Sequence, residues 1–165
     1  MSRITDMSRL FYKVTFFNGD LSKWDVSRVT NMGGMFYQAS SFNADLSKWD
    51  VSRVTNMNGM FTRASSFNGD LSKWDVSSVT DMGNMFYLAT SFTGDLSKWD
   101  VSRVTFMGSM FGGASSFKQR LCGAAWVNSK ASKEYMFAGS PGSISRTLCG
   151  LWCIGIDTVY FCIAT

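Results

Sequence analysis

The eleven residues "DLSKWDVSRVT" stand at 20–30 and return at 45–55 and 95–105, and with one letter changed at 70–80. A period of 25 residues held over four copies limits what this chain can fold into more than any other feature. A catalytic centre needs one copy of each group, whereas a stack of equivalent coils needs many. The full units run 16–40, 41–65, 66–90 and 91–115. Residues 1–15, "MSRITDMSRLFYKVT", align with the second part of a unit, "VSRVTNMGGMFYQAS" at 26–40, so the sequence opens partway through a coil. Residues 116–140 are a degenerate unit in which "SFKQRL" still matches and "YMFAGS" returns one residue late. The repeat region is therefore 1–140, followed by Pro141 and an aberrant apolar tail over 141–165.

Within a unit, Leu21, Trp24 and Val26 are apolar, and Trp24 and Val26 alternate with Lys23 and Asp25. That alternation predicts a short strand with one face buried. Met32, Met35, Phe36 and Ala39 then fall at i, i+3, i+4 and i+7, the stripe of a short helix with Thr30 as its N-cap. Gly33 and Gly34 weaken such a helix by roughly 1 kcal/mol each relative to Ala, so packing has to hold it. A strand–helix unit of this length cannot bury both faces alone, but stacked copies can. The expected fold is an α/β repeat solenoid of right-handed coils, each with one short parallel strand and one short helix. Trp24, Trp49, Trp74 and Trp99 would then form one core column, and Met35, Met60, Met85 and Met110 another.

Charge and reactive residues exclude several functions. The net charge is +4, yet residues 1–15 carry +2, residues 116–165 carry +3 and the body between them carries −1. A protein that tracks phosphates concentrates Lys and Arg on its working face, so nucleic acid is not expected as a partner. There is no His, and Glu134 is the only Glu, which leaves little for acid–base catalysis near neutral pH. Cys122, Cys149, Cys153 and Cys162 form no C-x-x-C pair and have no His to complete a zinc site. They read as small buried apolar groups or an occasional disulfide. No enzyme activity, metal or cofactor is expected.

The unit "FNGDLSKWDVSRVTNMGGMFYQAS" resembles the repeat of BspA-like leucine-rich-repeat surface proteins, a 25-residue unit first catalogued as a mycoplasma domain of unknown function. W-D-V-S, V-T, M-x-x-M-F and F-N recur in phase over about residues 1–140. The resemblance implies a leucine-rich-repeat-like solenoid, a cell-surface or extracellular location, and adhesion or protein binding. It brings no catalytic residues. "MSRITDMSRLFYKVTFF" holds no apolar run of signal-peptide length, and no capping unit precedes the first coil. With the unmatched tail, these departures are expected of a fragment of a longer array or an imprecise gene model.

The side chains expected to bind a partner are those on the exposed strand face: Lys23, Asp25, Lys48, Asp50, Lys73, Asp75, Lys98 and Asp100. Because this Lys/Asp grid hardly varies from coil to coil, it suits a periodic partner such as a polysaccharide, a fibrous protein or another array. The competing reading is that the grid merely solvates the stack after recent duplication. Variation gathers at residues 37–38, which read Tyr-Gln, Thr-Arg, Tyr-Leu and Gly-Gly in successive units. Position 31 likewise changes from Asn31 to Asn56, Asp81 and Phe106. Asn18, Asn43 and Asn68 recur in the turn and read as a structural ladder. The stretch 147–165, "TLCGLWCIGIDTVYFCIAT", approaches the length of a membrane span but carries Asp157 inside it. A segment capping the last coil and a non-native end both rank above a membrane anchor there.

Overall fold

The computed structural model describes residues 4–156 and 159–164. Within the repeats, each unit lies on its copy 25 positions along the chain. The Met7 N–H donates to the carbonyl of Asn31 at 2.9 Å, and Met32, Met57 and Met82 donate to Asn56, Asp81 and Phe106 at 2.9 Å. In the reverse sense, the N–H groups of Thr30, Thr55, Thr80 and Thr105 return to Thr5, Thr30, Thr55 and Thr80 at 2.8–2.9 Å. The threonine hydroxyls donate to the same carbonyls at 3.0–3.2 Å. Between the full units, the parallel pairing among the described residues is one bridge per coil, along Asp6, Asn31, Asn56, Asp81, Phe106 and Ser132.

Neither local element expected inside the unit forms. The stretch Leu21–Val29 is two tight turns, closed by Trp24 N–H to the Leu21 carbonyl at 3.1 Å and Val29 N–H to the Val26 carbonyl at 2.9 Å. No strand runs through Trp24 and Val26. The helix expected over Met32–Ala39 is replaced by linked turns in which alternate N–H groups have different destinations. Met35, Tyr37 and Ala39 donate to the residue three before, while Met32, Gly34, Phe36 and Gln38 donate to the next coil. A helix would direct every interior N–H back within its own segment and leave none for stacking. Two left-handed residues per coil produce the alternation, Gly34 at φ 62° and Gln38 at φ 57° in the first full unit. The burial stripe is nevertheless the expected one, with Met32, Met35, Phe36 and Ala39 fully buried.

The interior consists of columns. Phe11, Phe36, Phe61, Phe86, Phe111 and Phe137 stack with ring centroids 5.3–5.6 Å apart. Phe17, Phe42, Phe67, Phe92 and Phe117 form a second column at 5.9–6.1 Å. Within a coil the two columns touch, as Phe36 and Phe42 do at 3.9 Å. Trp49, Trp74 and Trp99 are at most 4% exposed, and each indole N–H donates to a Leu carbonyl 28 residues earlier, at Leu21, Leu46 and Leu71. Each tryptophan thus buries a large apolar ring and satisfies its one polar atom on the preceding coil. Trp24, whose indole makes no such bond among the described residues, lies beside the Phe11 ring at 5.9 Å and is 39% exposed.

The degenerate unit keeps this interior by a different local route. Beyond β1 (Arg120–Leu121), a single turn of helix, α1 (Ala124–Val127), absorbs the altered spacing. It still delivers a buried tryptophan, Trp126, whose indole donates to the Leu96 carbonyl at 2.8 Å. β2 (Ser143–Ile144) pairs in parallel with β1, aligning Arg120 with Ser143. Cys122 and Cys149 form a disulfide across this end. β3 (Leu151–Ile156) and β4 (Val159–Ala164) pair antiparallel. Among the described residues, no helix is long and apolar enough to cross a membrane.

Candidate functional site: a polar groove across four coils

The eight residues expected to bind a partner are all exposed, but they stand on turns rather than on a sheet face. Asp25 accepts the Ser27 N–H at 3.2 Å and the Ser27 hydroxyl at 2.6 Å. Asp50 holds Ser52 in the same way, and Asp75 and Asp100 accept the N–H of Ser77 and Ser102 at 3.0 Å. These are Asx turns, in which the carboxylate replaces a backbone acceptor. The Ser77 hydroxyl and then its N–H hold the Asp75 carboxyl below its ordinary range, and Ser102 does the same for Asp100. Asp20, Asp45 and Asp70 repeat the device on Ser22, Ser47 and Ser72 at 2.8–2.9 Å. The serine N–H and then its hydroxyl lower each of these carboxyls, and Lys23, Lys48 and Lys73 add to the effect. The grid therefore divides. Its aspartates close turns, and Lys23, Lys48 and Lys73 lie in the field of a second row of turn aspartates.

A different surface is concave. Copies of the stretch 31–38 form successive rungs at 6–13, 31–38, 56–63 and 81–88, and a groove of about 700 Å³ crosses all four. Amides form part of its lining. Asn31 Nδ2 donates to Asp6 at 3.1 Å, Asn56 Nδ2 donates to Asn31 Oδ1 at 3.0 Å, and Asn58 Nδ2 donates to Asp81 at 3.1 Å. The acceptor oxygens also hold the local turn, as Asn31 Oδ1 does with the Gly33 N–H at 3.0 Å. A primary amide has two N–H donors, so Asn31 and Asn56 each keep one beyond the ladder. Tyrosines form another part. Tyr12 and Tyr37 stack at 4.7 Å and 12°, Thr62 takes the next position, and Tyr87 the one after.

Glycines make this surface concave. Gly34 and Gly59, at φ 62° and 63°, fill a left-handed position that also removes a side chain from the groove. A Cβ on Gly33 would stand 3.0 Å from Asn56 Nδ2, against the amide ladder. The amide line stops at Phe106, whose ring covers Gly83 and Gly108 so closely that a Cβ on either would collide with it. Arg9 and Asp81 are the charged residues in the lining, one of each sign. At the first rung the Arg9 guanidinium lies 5.7 Å and the Lys13 ammonium 5.3 Å from the Tyr12 ring centroid.

A family profile described as "Mycoplasma protein of unknown function, DUF285" matches residues 1–87 and 47–147. The chain belongs to this family. The two DUF285 matches overlap across the second and third full units, as a repeating sequence allows. Neither a curated protein nor a solved structure matches the chain. In this DUF285 chain the groove falls on part of the stretch where the units differ, residues 31 and 37 and their copies, while Gln38, Arg63 and Leu88 are not among its lining. Sequence reasoning marked that variation but not the concavity, because the latter depends on left-handed residues that a helical reading conceals. The asparagine ladder expected in the other turn is also present, with Asn18, Asn43 and Asn68 accepting the N–H of Asn43, Asn68 and Thr93 at 2.8–2.9 Å.

Proposed function

We propose that this DUF285 chain is a non-enzymatic, ligand-binding repeat protein of the BspA-like leucine-rich-repeat kind, serving adhesion at a cell surface. In this reading its stack is a right-handed leucine-rich-repeat-like solenoid that binds a protein or polysaccharide through its exposed faces. The observation that carries the proposal is the groove, continuous over four coils, with changing side chains on a backbone that repeats almost without change. An extended surface built from equivalent coils is the usual working face of a stacked-repeat protein. The lack of His and the single Glu weigh against acid–base chemistry on that surface. The test is binding of the purified chain to an array of polysaccharides and extracellular-matrix proteins. Saturable binding supports adhesion, and a folded chain that binds nothing contradicts it.

One observation favours a second reading, a structural spacer or self-assembling scaffold with no ligand. Asp25, Asp50, Asp75 and Asp100 are engaged in closing their own turns, so the most constant surface letters already serve the stack. The variant with Lys23, Lys48, Lys73 and Lys98 all replaced by Glu bears on this. If the lysines bind the partner, adhesion collapses; adhesion that survives assigns binding to another face, and a folded chain that adheres to nothing, in either form, supports the scaffold.

A further inference from the structure

We infer that this chain stacks on itself head to tail, the front rung of one copy (6–13) docking on the back end of a second copy as one more coil would. The back end consists of the last rung (132–139) and the half-coil that carries β2. The inference is independent of the ligand-binding reading and gives the self-assembling one its contact. Two features make a second copy the fitting occupant.

The first is backbone complementarity. Inside the stack, alternate N–H groups of each rung donate forward, as Met7, Arg9, Phe11 and Lys13 do to Asn31, Gly33, Met35 and Tyr37 at 2.7–3.0 Å. At the front, the matching carbonyls of Asp6, Ser8, Leu10 and Tyr12 accept no hydrogen bond among the described residues. At the back, the matching N–H groups of Lys133, Tyr135, Phe137 and Gly139 donate none. Both rungs keep the conformation of the interior ones, with left-handed residues at Arg9 and Lys13 (φ 57° and 61°) and at Tyr135 and Gly139 (φ 55° and 72°). Four donors therefore face four acceptors in the register that the internal junctions already use. Front set against front would oppose carbonyls to carbonyls, with no donors between them.

The second is the apolar end that the front exposes. Ile4, Leu10 and Val14 are 53%, 50% and 43% exposed, whereas their copies Val29, Met35 and Ala39 are at most 1% exposed. Ile4, Leu10 and Trp24 line an apolar hollow of about 460 Å³. The Trp24 indole lacks the carbonyl that Trp49 finds at Leu21. The back end supplies one. Ile144 aligns with Leu121, and Ser143 and Ser145 make the bonds back toward the preceding coil, so the Ile144 carbonyl faces away from β1. The half-coil and the front rung are also successive halves of the repeat, so each end completes a coil with the other.

Lys133 restrains the contact. It stands where Met7, Met32, Met57, Met82 and Met107 stand in the other rungs, and its ammonium donates to the carbonyls of Ser129 and Ala131 at 2.8 and 3.0 Å. The Ala131 carbonyl holds the place of Thr30, whose carbonyl takes the Thr55 N–H. A docking copy has to displace the lysine there with its own Thr5. A contact of front on back leaves a free front and a free back at every length, so it builds linear assemblies and not closed dimers.

The experiment is sedimentation velocity of the full chain from about 1 μM to 1 mM. Leu10→Glu, Lys133→Met and the double variant accompany it, with circular dichroism and melting temperature establishing that each is folded. Wild-type mass should rise with concentration beyond the dimer. Residues 1–15 carry +2 and residues 116–165 carry +3, so added salt should lengthen the assemblies by screening like charges. Leu10→Glu should weaken association about tenfold or more, yet shorten wild-type assemblies when mixed in, because its back end is intact. Lys133→Met should strengthen association, and the double variant should return it to the level of Leu10→Glu. A wild-type chain that stays monomeric throughout overturns the inference and leaves the ligand-binding reading standing. So does growth that stops at dimers, growth that salt suppresses, or growth that folded Leu10→Glu leaves unchanged.

Discussion

The two halves of each coil obey different rules. Residues 16–30 and their copies repeat nearly letter for letter, and the structure uses almost every letter: Phe and Leu in columns, Trp bonded to the preceding coil, Asp closing a turn on Ser. Residues 31–40 repeat only on their buried side. Met32, Met35, Phe36 and Ala39 keep their identity in every full unit, while the outward positions change among Asn, Asp, Phe, Tyr, Thr and Gly. Constancy marks what holds one coil to the next, and variation marks what the stack presents. Of the repeated surface letters, the aspartates have a structural role in their own turns, whereas no hydrogen bond among the described residues accounts for the sameness of the lysines.

The largest expected effect lies in the constant half. Trp74→Ala removes a buried ring and its bond to the Leu46 carbonyl, and should destabilise the fold by about 3–5 kcal/mol in denaturant unfolding. Trp24→Ala alters the same letter where the indole makes no such bond and the ring is partly exposed, and should cost at least ~2 kcal/mol less. Equal losses at the two positions would break the claim that stacking, not the local turn, uses the tryptophan.

Next is pH. Asp20, Asp45, Asp70, Asp75 and Asp100 have carboxyls lowered from the ordinary 3.8 by their serines. A folded pKa below the unfolded value contributes stability that is fully present above the unfolded value and is lost as pH falls through the folded one. The melting temperature should therefore hold from pH 7 to 5 and drop below about pH 4. A melting temperature indifferent to pH down to 3 would remove the aspartates from the stacking account.

The four-lysine Glu variant should shift the melting temperature only slightly, since isolated exposed charges contribute little. A large loss would return the turn row to importance. The smallest effect belongs to the variable half. Gln38 holds φ 57° beside the groove, so Gln38→Gly should stabilise the fold by about 0.5 kcal/mol, the relief of left-handed strain less the entropy of glycine. Destabilisation there would mean that the Gln38 side chain matters more than its backbone.

Much of this was legible in the sequence, and what was not has identifiable causes. Period and phase were plain, and the apolar stripe at Met32, Met35, Phe36 and Ala39 named the buried side correctly. A burial stripe reports which side chains go inward and not which carbonyls the N–H groups reach, so a chain of turns passed for a helix. Gly33 and Gly34 were the available signal; they weaken a helix but suit the left-handed position that Gly34 takes. At Trp24–Val26 the alternation was real, but the turns on either side leave no room for strand pairing. Trp126 was not recognised as the fifth copy of the repeated tryptophan, because α1 moves it out of phase. The Cys122–Cys149 pairing was beyond reach, since four cysteines outside the regular period allow several partners.

The measurement closest to the central claim is binding of the full chain to the array of polysaccharides and extracellular-matrix proteins, beside two folded variants, one altered in the groove (Tyr37→Ala with Asn56→Ala) and one in the turn row (the four-lysine Glu variant). The account predicts binding that the groove variant weakens and the turn-row variant keeps. Binding lost only in the turn-row variant, or equal in all three, would contradict it.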